Sequence, residues 1–269
     1  MDSSHFWFAL GLTAFAGLST GIGSLIGFMS KNFKPKYLAG SLGFSAGVMI
    51  YVSFVEIFPK AKASLVLAYG AREGYLLTVG AFFAGVALIA VIDKLIPSRE
   101  NPHEMKMMHH MDQVSNTDKK KLMRMGLFSA LAIGIHNFPE GLATFMAGLA
   151  EPALGVSIGV AIAIHNIPEG LAVSVPIYYA TKSRKKAFVL SFLSGLAEPI
   201  GALIGYFLLR ELFNDSFFGL VFASVAGIMV YISLDELLPT AEEYGEHHVA
   251  IFSLIGGMVV MAASLLLFA

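Results

Sequence analysis

His136-Asn137-Phe138-Pro139-Glu140-Gly141 and His165-Asn166-Ile167-Pro168-Glu169-Gly170 are two nearly identical strings set inside uncharged, apolar stretches of the chain. In each, an imidazole and a carboxylate stand four residues apart, which on a helix places them one above the other on the same face. Ionisable groups inside a membrane are costly and by default mark a functional site. A matched pair of nitrogen-and-oxygen ligand sets in lipid points to a pathway for a divalent metal.

The rest of the chain says what solvent surrounds these strings. Of 269 residues, 56% are apolar and only 14% are charged, and the mean hydropathy is +0.72. A soluble domain carries roughly a quarter charged residues, so water is not the main solvent here. The net charge of −1 argues against a nucleic-acid partner, and the absence of cysteine excludes disulfides and thiolate metal sites. No cleavable leader is expected: the first apolar stretch follows Asp2 rather than a basic region and runs too long for a signal core.

Eight stretches are long enough to cross a hydrocarbon layer, which takes roughly 20 apolar residues as helix. They lie near 6–29, 37–59, 74–92, 124–149, 152–181, 187–209, 216–239 and 249–269. The apolar runs are continuous and do not alternate, so helices are expected and not a barrel. With the amino terminus outside, 14 lysines and arginines fall in the inner loops and only Lys60, Lys62, Arg72 and Arg210 outside. That bias places both termini outside the cytoplasm of a cell membrane. The loop 240–248 departs from the trend, with three glutamates and no base, but acidic residues weigh little in this rule.

An internal repeat adds topology. Residues 46–61 (AGVMIYVSFVEIFPKA) return as 226–241 (AGIMVYISLDELLPTA), with eight of the 16 positions identical. Gly17–Gly23 matches Gly195–Gly201 at an offset of 178, and spans three and eight match weakly. Spans one and two thus pair with six and seven, and each partner crosses in the opposite direction. The expected fold is one all-α integral membrane domain over 1–269, its eight helices arranged three, two and three. An inverted repeat (spans 1–3 and 6–8) brackets a central kinked pair, and such repeats build many secondary transporters around a midplane site.

Helix rise, about 1.5 Å per residue, gives the depth of the ligands. His136 lies 12 residues after Arg124, His165 13 after Pro152 and Glu198 12 beyond Lys186, all near mid-membrane. No lysine or arginine in these spans can neutralise Glu140, Glu169 and Glu198, so a divalent cation is the simplest partner. Imidazole with carboxylate suits Zn²⁺, Fe²⁺, Mn²⁺ or Co²⁺, and Asn137 and Asn166 add neutral carbonyl oxygens. Pro139 and Pro168 cannot donate to the carbonyls of Ile135 and Ile164, so each helix should kink at its motif; Pro199 repeats the arrangement beside Glu198. At the matching place, span one has Thr20-Gly21 and lacks the acidic ligand.

The duplicated His-Asn-x-Pro-Glu-Gly, followed by Gly195-Leu196-Ala197-Glu198, resembles the ZIP (Zrt/Irt-like) divalent-metal transporters, most closely a bacterial branch of them. The likeness runs over almost the whole chain, including Asp235-Glu236-Leu237-Leu238-Pro239. It implies a two-metal centre built by spans four to six. His136, Glu140, His165 and Glu169 would form one site; Asn137, Asn166 and Glu198 would form the second, with Glu140 and Glu169 bridging. It also implies uptake towards the cytoplasm, a range that covers zinc, iron, manganese, cobalt and cadmium, and homodimers. The metal would be the cargo, with no prosthetic group and no enzymatic activity.

Other features admit two readings. Glu56, Asp235 and Glu236 either attract the cation and hand it on, or cap helix ends where the chain turns at proline. The loop 97–123, with His103, His109, His110, several methionines and Lys119-Lys120-Lys121, is either a metal collector or a flexible cytoplasmic connector; composition favours the connector. His247 and His248 fit either reading. Two rival functions use the same ligands: an intramembrane metal-dependent hydrolase, and a channel or receptor gated by the metal. Against the first, no His-Glu-x-x-His string occurs and no serine or cysteine sits beside the motifs.

Overall fold

A computed structural model describes residues 3–29, 35–95, 116–209, 211, 214–244 and 247–268. Helices α1 (Ser3–Met29), α2 (Pro35–Val52), α3 (Phe58–Tyr69), α4 (Ala71–Leu95), α5 (Asn116–Ala150) and α6 (Pro152–Thr181) come first. They are followed by α7 (Arg184–Gly195), α8 (Ala197–Leu209), α9 (Asp215–Ile232), α10 (Leu238–Tyr244) and α11 (His247–Phe268). No strand occurs among the described residues. Among the described residues, seven helical runs are long and apolar enough to cross a membrane; α5, the expected fourth span, is long enough at 35 residues but is not one of them.

Burial runs opposite to that of a water-soluble domain. Trp7, Leu67, Phe83, Phe207, Phe252, Leu266 and Leu267 are exposed, while His136, Asn137, Glu140, His165, Asn166, Glu169 and Glu198 are buried. An apolar exterior around a core that buries uncompensated carboxylates is stable only where the surroundings are themselves apolar. The chain is a multi-pass membrane protein.

The sequence-based boundaries shift in four places. The second span does not end at Pro59. A π-helical turn over Ser53–Ile57 carries the helix on to Tyr69, because the amide of Phe58 reaches back five residues to the Ser53 carbonyl. The same turn recurs at Ser233–Leu237, where the Leu238 amide bonds the Ser233 carbonyl. In both, the following proline (Pro59, Pro239) has no amide to give, and the widened turn accommodates its ring. The sixth span is broken at Leu196, between α7 and α8, one turn before the pyrrolidine of Pro199. Finally, 116–123 of the expected connector form the first turns of α5, and the rest of it, with its three histidines, lies outside the described residues.

Short joints fix which helices lie together. Gly70, at φ +85°, ends α3 with its amide on the Val66 carbonyl, and α4 starts one residue later; glycine reaches this left-handed region without a Cβ clash. Glu151 alone separates α5 from α6, with Pro152 opening the new helix. Across that joint Gly148 meets Gly155, His136 meets Glu169, and Glu140 meets His165. Numbers falling on α5 as they rise on α6 make the pair antiparallel.

Farther out, α2 packs on α11 and α9 packs on α4 through the same small-residue approach. A Cβ on Gly47 would overlap the Leu254 carbonyl oxygen, and one on Gly227, 180 positions on, would overlap that of Phe82. In return, Gly257 lies against the Phe44 carbonyl and Gly85 against that of Ser224, also 180 positions beyond Phe44. Small residues let membrane helices approach until their backbones touch. Gly47→Val and Gly227→Val should each cost about 3 kcal/mol or abolish folding. Gly11→Ala and Gly80→Ala, where nothing lies within 4 Å of the added carbon, should melt as wild type. Thermal unfolding in detergent, followed by size-exclusion chromatography, reads both pairs.

Candidate metal centre

Because α5 and α6 are antiparallel, each histidine faces the glutamate of the other helix and not the one four residues along its own. His136 Nε2 is 3.4 Å from Glu169 Oε2 and His165 Nε2 is 3.5 Å from Glu140 Oε2. These separations exceed an ordinary N–H···O hydrogen bond. They match the edge of a tetrahedron about 3.3 Å long, which follows from zinc–ligand bonds of roughly 2.0–2.1 Å. The two pairs lie one helical turn apart and are at most 1% exposed.

The asparagines are anchored by their nitrogens. Asn137 Nδ2 donates to the Ser194 carbonyl at 3.3 Å, and Asn166 Nδ2 donates to the Ala16 carbonyl at 2.9 Å. Asn166 Nδ2 also contacts Glu198 Oε1. Both amide oxygens are thereby left facing the interior. Glu198 stands in the first turn of α8, and its backbone touches α5 at Gly141, where a Cβ would overlap the Glu198 carbonyl. That contact brings the third carboxylate next to Glu140.

Each of the seven residues leaves one buried atom without a hydrogen-bond partner. They are His136 Nδ1, Asn137 Oδ1, Glu140 Oε1, His165 Nδ1, Asn166 Oδ1, Glu169 Oε1 and Glu198 Oε2; among the described residues only Thr20, Ser53 and Ser174 add others. No lysine or arginine is buried among the described residues. Unpaired polar atoms in a low-dielectric interior cost free energy, and a cation is the partner that serves all the oxygens together. Among the described residues, no three His, Asp or Glu side chains already gather around one point; the imidazoles and carboxylates are paired two by two.

Of the secondary candidates, Glu236 is 8% exposed on the second π turn and lies within electrostatic reach of His136. Glu56, its counterpart on the first π turn, is half-buried, as is Asp235. His247 Nδ1 pairs with the exposed Glu242 at 2.7 Å, away from the centre. Sequence reasoning missed the backbone carbonyls of Ala16 and Ser194, 178 positions apart, which orient the two asparagines. The offset of the repeat was the signal that could have linked them.

Residues 94–265 match the family model described as "ZIP Zinc transporter". The chain belongs to the ZIP family. It is 73% identical over 261 residues to a protein of Chlorobium chlorochromatii, covering 97% of each chain, and 71% identical over 266 residues to one of Chlorobaculum parvum, covering 99% of each. A Streptococcus mutans protein is 64% identical over 266 residues, again with 99% of each chain covered. All three relatives carry the name "Zinc transporter ZupT", so within the ZIP family this chain is ZupT-like.

The orphaned oxygens make a direct test: a cation bound among them should stabilise the protein. Zn²⁺ at 100 times its dissociation constant should stabilise the purified protein by about 2.7 kcal/mol. Glu198→Gln should reduce that gain without lowering the melting temperature of the metal-free protein, as followed by differential scanning fluorimetry.

Proposed function

We propose that the protein carries zinc, and with it Fe²⁺, Mn²⁺, Co²⁺ and Cd²⁺, across the cell membrane into the cytoplasm through a binuclear site in mid-membrane. The observation that carries the proposal is the set of seven buried, unpartnered ligand atoms in a core with no buried lysine or arginine among the described residues. The relatives' name supports zinc as the cargo. His136, Glu140, His165 and Glu169 take the place of water around one ion. Asn137, Asn166 and Glu198 hold the second, with Glu140 and Glu169 between the two. Two ions sharing carboxylates weaken each other's hold, which favours release. The ligands are nitrogen and hard oxygen without thiolate, in keeping with a site that must let its cargo go.

The chain's own architecture supports a carrier built from an inverted repeat around α5 and α6. The π turns recur 180 positions apart, and α2 on α11 has its counterpart in α9 on α4. At the centre, Gly23 lies against the Ile167 carbonyl as Gly201 lies against that of Phe138. On this reading the flanking triplets rock against the central pair, with both termini outside, as the lysine and arginine bias requires. A cavity of about 380 Å³ at the Glu151 end, lined by Glu151, Asp215, Lys60 and Met146, is the outer approach. Met146 is six residues from Glu140, about 9 Å along the helix. Glu236, close to His136, receives the ion on the way out.

Uptake of radioactive zinc into proteoliposomes should saturate and fall to background with Glu140→Ala and with Glu169→Ala. Zinc-dependent cleavage of peptide or lipid without uptake would establish the hydrolase instead, and zinc binding with neither would establish a receptor.

A further inference from the structure

We propose that Thr20 is a further ligand-bearing residue of the metal centre, the neutral counterpart of Glu198, and that its lack of charge sets how firmly the centre holds its ions. The inference rests on the binuclear reading above, and its first support is a missing hydrogen bond. Four threonines inside these helices donate to the carbonyl four residues back: Thr13 to Ala9, Thr78 to Gly74, Thr144 to Glu140 and Thr181 to Ile177, at 2.7–3.0 Å. Thr20 does not, although its hydroxyl is fully buried. The acceptor it would use, the Ala16 carbonyl, already receives Ser19 Oγ at 2.6 Å and Asn166 Nδ2 at 2.9 Å. The carbonyl that orients a metal-site asparagine is thus denied to Thr20, and its hydroxyl is left open as donor and acceptor.

Its position supplies the second support. Gly170 of α6 packs on the Thr20 carbonyl as Gly141 of α5 packs on the Glu198 carbonyl. Asn166 bonds the carbonyl four residues before Thr20, and Asn137 bonds the carbonyl four residues before Glu198. Thr20 and Glu198 therefore occupy equivalent backbone places on opposite sides of the α5–α6 pair. Glu198 reaches Asn166; Thr20 Oγ1 lies against Gly195, next in the chain to the Ser194 whose carbonyl Asn137 bonds, and Asn137 Oδ1 is unpartnered. Gly195, whose added Cβ would stand 2.9 Å from Thr20 Oγ1, leaves room for the hydroxyl.

The chemistry follows from charge. Three carboxylates facing two divalent ions leave an excess of positive charge, so one ion is held less firmly. A fourth carboxylate at position 20 would balance the charge and slow release. A hydroxyl offers the ion, or a water bound to it, one neutral oxygen without adding to the electrostatic hold.

Calorimetric titration of zinc into the purified full-length protein, paired with proteoliposome uptake, tests this. Thr20→Val, of the same shape, should weaken one of two binding steps about tenfold, and Thr20→Ser should restore it. Thr20→Glu should bind zinc at least about tenfold more tightly while uptake falls. Unchanged zinc affinity in Thr20→Val overturns the proposal, and so does a loss confined to the melting temperature of its metal-free form, which would make the residue structural. A wild-type protein that binds zinc in two steps but does not transport it would overturn the carrier reading alone, since the titration still decides the role of Thr20.

Discussion

Negative charge without a resident counter-ion governs this molecule. Glu140, Glu169 and Glu198 are fully buried, and no lysine or arginine is buried with them among the described residues. In a low-dielectric interior such groups persist only when something neutralises them. The histidines answer part of the need by pairing with the glutamates across the α5–α6 interface. The remaining lone pairs stay open, a deficit that a cation would meet.

Holding polar groups in place at such cost requires a rigid frame, and here the frame is made of glycine. Around the centre, backbones approach until carbonyl oxygens sit where a Cβ would be: Gly23 on Ile167, Gly170 on Thr20, Gly141 on Glu198 and Gly201 on Phe138. Close backbone contact in lipid substitutes packing for the hydrophobic effect, which is absent between membrane helices. It also brings the carbonyls of Ala16 and Ser194 within reach of the asparagines, so that the packing of the helices and the orientation of the ligands have one origin.

Much of this was legible in the amino-acid order. Apolar runs without alternation gave helices in a membrane, and two copies of one hexapeptide gave the histidines, asparagines and glutamates that the fold buries. The helical interior of the motifs was legible too, because α5 and α6 pass through Pro139 and Pro168 without leaving helical geometry. The prolines at 59 and 239 misled: they read as helix ends, and the chain met them with π turns that no local propensity encodes. The weak resemblance between spans three and eight understated their likeness in space, since Gly85 and Gly257 make matching contacts. Contact geometry depends on one small residue per helix, and the surrounding lipid-facing side chains are free to differ.

The sequence by itself determined the medium, the chemistry of the candidate ligands and their places along the helices, because hydropathy, residue type and helical rise are local properties. Only the tertiary structure decided which ligands meet. The antiparallel hairpin at Glu151 sends each imidazole to the other helix's carboxylate. The crossing of α1 and α7 over that hairpin decides which backbone carbonyls the asparagines use, and so which hydroxyl is left without a partner. Those outcomes depend on distances between segments from 25 residues apart (Glu140 and His165) to 150 apart (Ala16 and Asn166), and no pattern within one segment can express them.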